Sequence, residues 1–268
     1  MSKPSESRCP GLSTLTRRPF LAALAGALTG CAAGRPPVPG TGLRAPTTVQ
    51  AGALSLRPSP GSLLPPGWEP YVLRRDLPPT RYAAVERDGR DAIHASGQGV
   101  SAGLRHALHA DPAVQRVLRW QWRVDDIHPG MSVAESDTDD SPARVVVAFD
   151  GDLAQLTAAE RAFYDLVELV TGQQLPYATL MYVWDSQLPP GHTVAYARSR
   201  RIQYIVVQSG PARAGQWLSY ERNVDDDFRR VFGHAPPGGI TSLGLLTDSD
   251  DLKVDVNAWY ADIGLYAT

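Results

Sequence analysis

The chain is poor in cysteine, in net charge and in long apolar runs. Its two cysteines in 268 residues are Cys9 and Cys31, so no disulfide framework follows residue 31. The 26 basic and 28 acidic residues give a net charge of −2, which excludes a global positive field for nucleic acid. The N-terminal apolar run Pro19–Gly30 has only twelve residues. A helix needs about 20 to span a bilayer, so we do not expect this run to cross a membrane.

The residues around that run have the order of an export signal. Arg17 and Arg18 precede the run and small residues end it, which is the arrangement of a secretory signal. The arginine pair resembles a twin-arginine signal, and Leu28–Cys31 resembles a bacterial lipobox. We therefore expect residues 1–30 to be removed and Cys31 to carry lipid. An ordinary cysteine just past a secretory cleavage site remains the alternative.

The rest of the chain divides by composition into a tether and a domain. Residues 31–66 are rich in proline, glycine and threonine, which predicts a flexible tether. Residues 67–268 are long enough to form a single domain with one core. Ala32, and not aspartate, follows the cysteine. In a Gram-negative organism this predicts an exported protein, lipid-anchored to the outer membrane and facing the periplasm.

The domain alternates between apolar and polar residues with period two, which is the signal of half-buried β-strands. In Val117–Val124, one face carries Leu118, Trp120, Trp122 and Val124, and the other face carries arginine and glutamine. Clusters of glycine, proline, aspartate and serine separate the alternating runs. Further runs are Arg144–Phe149, Leu180–Trp184, Arg201–Gln208, Trp217–Asn223, Ile240–Thr247 and Asn257–Tyr266.

Two helices interrupt the strands. Thr157 and Glu160 form a capping box, and Gly172 suits the C-terminal cap of the same helix. The apolar stripe of this helix consists of Ala159, Phe163, Leu166, Val167 and Val170. A shorter helix is predicted over Asp225–Phe232, ending at Gly233. The sequence therefore predicts an all-β fold, a jelly-roll-like antiparallel β-sandwich decorated with one clear and one short helix.

Several blocks of the domain resemble a known bacterial family. They are WQWRV, DTDDSPARVVVAF, LPYATLMYVW, RIQYIVVQSG, the W…ERNVDDDFRRVFG segment and TDSDDL…AWYADIGL, in that order. The same blocks characterise domain-of-unknown-function family 3047, and the resemblance extends from Gly67 to Leu265. It implies a secreted or lipid-anchored envelope protein with a β-sandwich, and it supplies no reaction.

One motif suggests a nucleophile. Gly99–Gly103 matches G-x-S-x-G around Ser101, and the segment Asp225–Asp227 followed by His234 completes the order Ser, Asp, His. A nucleophile elbow needs a buried parallel strand, a strained turn and then a helix. The surrounding chain alternates like short strands, so we expect Ser101 to be a strand or loop residue. Ser101 and His234 remain the catalytic residues of a hydrolase alternative.

Two acidic clusters, within residues 137–140 and 248–251, suggest a cation site. Asp248, Asp250 and Asp262 are the candidates for a structural calcium ion, which takes six to eight oxygen ligands. The preferred alternative is a hairpin turn in which the aspartates cap their own backbone. Asp262 lies within an apolar run and would need an arginine or a metal ion if it were buried. No other cofactor is predicted.

Aromatic and arginine side chains suggest a saccharide site, because the apolar face of a sugar stacks while its hydroxyls accept and donate hydrogen bonds. Trp120 and Trp122 share a strand face with aliphatic residues, so we predict that they belong to the core. The ligand-binding candidates are Arg123, Asp139, Arg144, Tyr182, Trp184, Trp217 and Arg222.

Three functions follow from these patterns. The preferred one is a non-enzymatic envelope lipoprotein whose sandwich binds a glycan or another cell-wall component. Its expected partners are the membrane, through the lipid anchor, and a glycan or envelope protein, but no nucleic acid. The second is an envelope hydrolase that uses Ser101 or a carboxylate pair such as Asp139 and Asp250; glycosidase pairs lie about 5–10 Å apart. The third is a purely structural role.

Overall fold

The computed structural model describes residues 52–268, so the residues predicted for export and lipidation, Arg17, Arg18 and Cys31, lie outside it. The described chain contains two helices, α1 (Ala158–Thr171) and α2 (Val224–Phe232). Its strands are β1 (Gly52–Ala53), β2 (Trp68–Val72), β3 (Arg81–Arg87), β4 (Arg90–Gln98), β5 (Ser101–Ala110), β6 (Val117–Val124), β7 (Ser141–Phe149), β8 (Ala178–Asp185), β9 (Thr193–Tyr196), β10 (Ser199–Ser209), β11 (Leu218–Asn223), β12 (Ile240–Asp248) and β13 (Asp255–Tyr266).

The strands form two sheets that pack into a sandwich. The six-stranded sheet has the order β11-β6-β13-β4-β3, with β1 paired to β13. The seven-stranded sheet has the order β2-β5-β12-β7-β8-β10-β9. All pairs are antiparallel except β8 and β10, which are parallel. The predicted jelly-roll-like β-sandwich is confirmed, with this one parallel pair as an addition.

The core between the sheets is rich in aromatic rings. Trp120 and Trp122 of β6 are 1% and 0% exposed, as the period-two pattern predicted. Tyr182 and Trp184 reach them from β8, with ring centroids 5.2 Å apart for Trp120 and Tyr182 and 6.1 Å for Trp122 and Trp184. A side chain on one face of a strand meets the facing sheet, so these four rings join the two layers.

Helix α1 begins and ends where the sequence predicted. The Thr157 hydroxyl accepts a hydrogen bond from the Glu160 backbone, the Glu160 carboxylate accepts one from the Thr157 backbone, and Gly172 has a φ of 70° at the C-cap. The Arg201 guanidinium binds Glu160 at 3.0 Å near the start of the helix. The Arg75 guanidinium donates to the Thr171 carbonyl at 2.7 Å near its end. These contacts hold both ends of α1.

The residues of the predicted apolar stripe of α1 are only partly buried. Phe163 and Val167 are half-buried and line a cavity on the seven-stranded sheet. Leu166 and Val170 are 56% and 51% exposed, so the sequence overestimated how much of the stripe is buried. Tyr164, which is not part of the predicted stripe, is one of the buried residues of α1. The buried face of the helix is therefore rotated relative to that stripe.

Residues before the predicted domain boundary at 67 also belong to the sandwich. Gly52 and Ala53 pair with Leu265 and Gly264 of β13. Leu54 and Leu56 are 8% and 6% exposed and pack in the main core. Over residues 52–268, neither helix is long and apolar enough to cross a bilayer.

Candidate functional site

The outer face of the seven-stranded sheet carries two adjacent cavities, and strand register determines which residues share that face. Arg144 of β7 lies beside Leu246 of β12, and Val146 lies between Gly244 of β12 and Met181 of β8. One cavity has a volume of about 240 Å³. We call it the polar cavity; its polar lining consists of Arg74, Ser101, Ser136, Asp139, Arg144, Tyr196, Arg198, Tyr204, Asp248, Asp250 and Asp251.

A buried ionic network forms the base of the polar cavity. Arg144 is 3% exposed, and its Nη1 donates to Asp248 Oδ2 at 2.8 Å. Its Nη2 lies 3.1 Å from Asp139 Oδ1, and the Tyr204 hydroxyl donates to Asp139 Oδ2 at 2.8 Å. The other Asp248 oxygen accepts from the Ser141 backbone at 3.0 Å. One guanidinium on β7 therefore binds a carboxylate on β12 and another in the loop before β7, and fixes the positions of both.

Burial sets the pKa values in this network. Desolvation raises the pKa of Asp139, although the Arg144 charge and the Tyr204 hydrogen bond oppose it. Desolvation also raises the pKa of Asp248 well above its usual value, again against the Arg144 charge. Burial would lower the pKa of Arg144, but the two carboxylates outweigh this effect and raise it. Arg144 therefore stays charged, and both carboxylates depend on that charge for their own ionisation.

The network is not fully satisfied among residues 52–268. Arg144 Nε is buried and has no hydrogen-bond partner in this part of the chain. At the rim, Arg74 binds Asp250 at 3.3 Å, and Arg198 lies exposed. The side chain of Tyr196 lies between Phe163 of α1 and Tyr204, with ring centroids 6.3 Å from each. The cavity thus combines donors, acceptors and ring surfaces.

Comparison with known proteins identifies the family. The family model described as Protein of unknown function (DUF3047) matches residues 66–264. The chain belongs to the DUF3047 family. The resemblance inferred from the sequence blocks is confirmed. None of the curated proteins matches the chain.

Solved structures similar to the DUF3047 domain differ strongly from it in sequence. The family 11 carbohydrate-binding module of the cellulase Lic26A-Cel5E of Clostridium thermocellum is 12% identical, with a TM-score of 0.40, and the match covers 82% of this chain and 97% of that one. Endoglucanase Cel12A from Rhodothermus marinus is 11% identical, with a TM-score of 0.41 and coverages of 75% and 92%. The xyloglucanase domain of NopAA from Sinorhizobium fredii is 7% identical, with a TM-score of 0.39 and coverages of 78% and 100%.

The DUF3047 domain does not assemble the serine triad of the hydrolase alternative. Ser101 is 4% exposed at the start of β5, which continues as a strand to Ala110, so no helix follows the serine as an elbow requires. His234 is exposed and its Nδ1 contacts the Ala235 carbonyl at 2.7 Å. Within residues 52–268, no hydrogen bond joins His234 to Ser101. The absence of an elbow agrees with the expectation that Ser101 is a strand or loop residue.

Three of the ligand-binding candidates contact other residues of the DUF3047 domain, and two of them are fully buried. Tyr182 and Trp184 are 0% exposed, so neither ring has a face available to a ligand. The Tyr182 hydroxyl and Arg222 Nε both donate to Asp227 Oδ2, at 3.0 and 2.8 Å. The structure thus corrects the interpretation of Tyr182 and Trp184. The Arg222 side chain is 33% exposed, but its guanidinium is held by Asp227.

Two further candidates lie on the outer face of the six-stranded sheet. The Trp217 indole donates to Asp88 Oδ2 at 2.9 Å. Arg123 lies 3.9 Å from the same carboxylate and 3.7 Å from Asp125. Asp139 and Arg144 lie in the polar cavity, on the other sheet. The seven candidates therefore divide among the core and two surfaces of the DUF3047 domain.

The three calcium candidates do not converge. Asp248 binds Arg144 and Asp250 binds Arg74. Asp262 is exposed, with a φ of 50°, at an irregularity of β13 in the other sheet. In the described part of the DUF3047 domain, no three histidine, cysteine, aspartate or glutamate side chains are arranged to hold a metal ion. The aspartate loop is instead held by Asp140, whose carboxylate accepts from the Asp251 and Leu252 backbones.

The sequence analysis missed five polar residues of the cavity: Arg74, Ser136, Tyr196, Arg198 and Tyr204. Alternation in Arg201–Gln208 predicted that Tyr204 and Ile205 lie on opposite faces, and they do. It did not predict that the face of Tyr204 carries the cavity, because both faces of this strand are buried.

Proposed function

We propose that the protein is an envelope-anchored binding protein that holds a neutral glycan, or another hydroxyl-rich cell-wall component, in the polar cavity. The observation that carries the proposal is the balance of its lining, which contains four aspartates and three arginines. Each sugar hydroxyl can donate and accept, so it suits a site where carboxylates and guanidinium groups alternate. Neither sign dominates, which favours an uncharged polyol over a phosphate or a metal ion.

The geometry favours binding over hydrolysis. A glycosidase acid must carry a proton that it can deliver, and a raised pKa such as that of Asp139 supports such a role. However, Arg144 and the Tyr204 hydroxyl both donate to Asp139, one to each carboxylate oxygen. Donors on both oxygens stabilise the ionised form. Asp250, the second acid of the predicted pair, accepts from Arg74.

A binding experiment with matched variants tests the proposal. We expect Arg198→Ala to weaken binding of a neutral cell-wall oligosaccharide by about ten- to a hundredfold, because a charge-assisted hydrogen bond contributes ~1.5–3 kcal/mol. The control is Arg200→Ala, since Arg200 is also exposed but does not line the cavity. Titration calorimetry of the purified full chain against cello-, xylo- and chito-oligosaccharides and the peptidoglycan disaccharide gives the constants.

The outcomes distinguish the candidate functions. Binding without product formation, sensitive to Arg198→Ala only, supports the proposal. Chromatographic detection of shortened oligosaccharides that disappears with Asp139→Asn would favour the hydrolase. No binding of any oligosaccharide at millimolar concentration would contradict the proposed function.

The anchoring part of the proposal rests on the sequence around Cys31. Expression of the full precursor with labelled palmitate should label the wild type and the Cys9→Ala variant, but not Cys31→Ala, because only the thiol after Leu28–Gly30 stands where a lipobox cysteine does. Label retained in Cys31→Ala would contradict lipidation at that residue. Loss of label in the Cys9→Ala variant as well would contradict the prediction that labelling depends on Cys31 alone.

A further inference from the structure

The second cavity on the outer face of the seven-stranded sheet is apolar. It has a volume of about 310 Å³, and we call it the apolar hollow. Its floor includes Gly103 of β5, Gly244 of β12 and Ala148 of β7. Tyr71 and Leu73 stand on one side, and the segment Gln174–Tyr177 after α1 stands on the other. The hollow exists because these three neighbouring strands carry small residues here, whose side chains do not fill the space above the sheet.

Packing keeps the floor of the hollow open. A Cβ atom at Gly103 would lie 3.0 Å from the Leu245 carbonyl oxygen, and one at Gly244 would lie 3.1 Å from the Leu104 carbonyl oxygen. Neither glycine can be replaced by a larger residue without a shift of the neighbouring strand. The side chains that do reach into the hollow from the sheet are mostly aliphatic. A water molecule there would find few polar partners, and apolar pockets of this kind favour apolar ligands.

The hollow continues into the polar cavity. Leu246, Met181 and Ile202 line both cavities, as do Leu73 and Leu175. A molecule whose polar group meets the Arg144 network can therefore reach the hollow by extending past these shared side chains. A ligand that fills both must have one polar end and one apolar end.

We infer that the site takes a saccharide that carries a single alkyl or acyl chain, with the sugar in the polar cavity and the chain in the apolar hollow. This inference rests on the proposed function for the position of the sugar. The two cavities open on the same sheet face and share five side chains, so one ligand spans them. A chain fits better than a second sugar ring, because the floor of the hollow presents glycine, alanine and aliphatic groups and few hydrogen-bonding partners.

Chain-length dependence tests this inference without any variant. Calorimetry of the full chain with glucose and with butyl, hexyl and octyl β-glucoside, below their micelle concentrations, should give an affinity that rises about fourfold per added methylene until the hollow is full. The same series of free 1-alkanols measures the chain alone. Affinity that does not change with chain length in either series would overturn the inference.

Filling the hollow gives a second readout. Ala148→Leu should reduce the affinity for octyl glucoside at least tenfold and leave oligosaccharide binding unchanged, because Ala148 lines the hollow and not the polar cavity. The control is Ala107→Leu, an equal enlargement at an exposed position of β5. If the melting temperature shows that Ala148→Leu does not fold, Thr179→Leu fills the hollow from β8.

The glycan proposal and the inference about the alkyl or acyl chain are contradicted by different results. Oligosaccharide binding with no effect of chain length or of Ala148→Leu overturns the lipid-chain inference and keeps the glycan proposal. Alkanol binding that rises with chain length and falls with Ala148→Leu, without any saccharide binding, keeps the hollow as a chain site and contradicts the glycan proposal.

Discussion

Arg144→Met is expected to lower the free energy of unfolding by about 3–5 kcal/mol at neutral pH, because it leaves buried carboxylates without their cation. Asp248 and Asp139 are 6% and 12% exposed at the side chain, and both bind this guanidinium. Methionine keeps much of the aliphatic volume of the arginine side chain. The loss in the free energy of unfolding therefore measures mainly the effect of removing the charge. Urea unfolding followed by circular dichroism gives the value.

An exposed ion pair provides the matched control. Arg119 and Glu221 lie 2.7 Å apart with side chains 54% and 60% exposed. Arg119→Met should cost at most about 1 kcal/mol, since solvent screens this pair. Equal losses in the two variants would mean that the Arg144 network is hydrated and that its burial does not control its energy.

The loss from Arg144→Met should also shrink as the pH falls. Burial raises the pKa of Asp248 and of Asp139, and removal of the Arg144 charge should raise both pKa values further. A carboxyl whose pKa is higher in the folded state favours folding below its unfolded pKa of about 3.9. That contribution is lost as the pH rises toward the folded pKa. The free energy of unfolding of the variant should therefore approach that of the wild type near pH 4 and be clearly lower than it toward pH 7.

Trp120→Ala should destabilise the sandwich by about 3–5 kcal/mol, the usual cost of deleting a large buried side chain. Trp120 is 1% exposed, and its ring lies between 5.1 and 5.6 Å from the rings of Tyr220, Tyr182 and Trp122. Because these contacts join both sheets, the cavity cannot close by movement of one strand. Guanidinium unfolding monitored by circular dichroism measures the loss.

Trp217→Ala is the corresponding control on the outer face of the six-stranded sheet. Trp217 is only half-buried, and its indole donates to the exposed Asp88. We expect a loss below about 2 kcal/mol, since a solvated site refills with water. A loss at Trp217 as large as at Trp120 would contradict the division of the tryptophans into core and surface.

The candidate site could be predicted only in part from the sequence. Arg144 was identified because arginines beside aromatic residues suit a sugar, and Asp139 because it belongs to an acidic cluster. Tyr204 was missed, since 65 positions separate it from Asp139. Tyr182 and Trp184 were placed in the ligand set because the aromatic content of LMYVW suits a sugar, but a β8 strand buried on both faces gives no period-two signal for an outward side.

The sequence by itself determined the strand in Val117–Val124, both caps of α1, the C-terminal cap of α2 at Gly233, the β-sandwich class and the DUF3047 family. Alternation, caps and family blocks are properties of neighbouring residues, so they can be read along the chain. Only the tertiary structure decided which acid meets Arg144, because Asp248 lies 104 positions away and reaches it through the pairing of β7 with β12. It also decided that small residues on β5, β7 and β12 lie side by side and form a hollow, since strand order is set by the packing of whole sheets and not by any one strand.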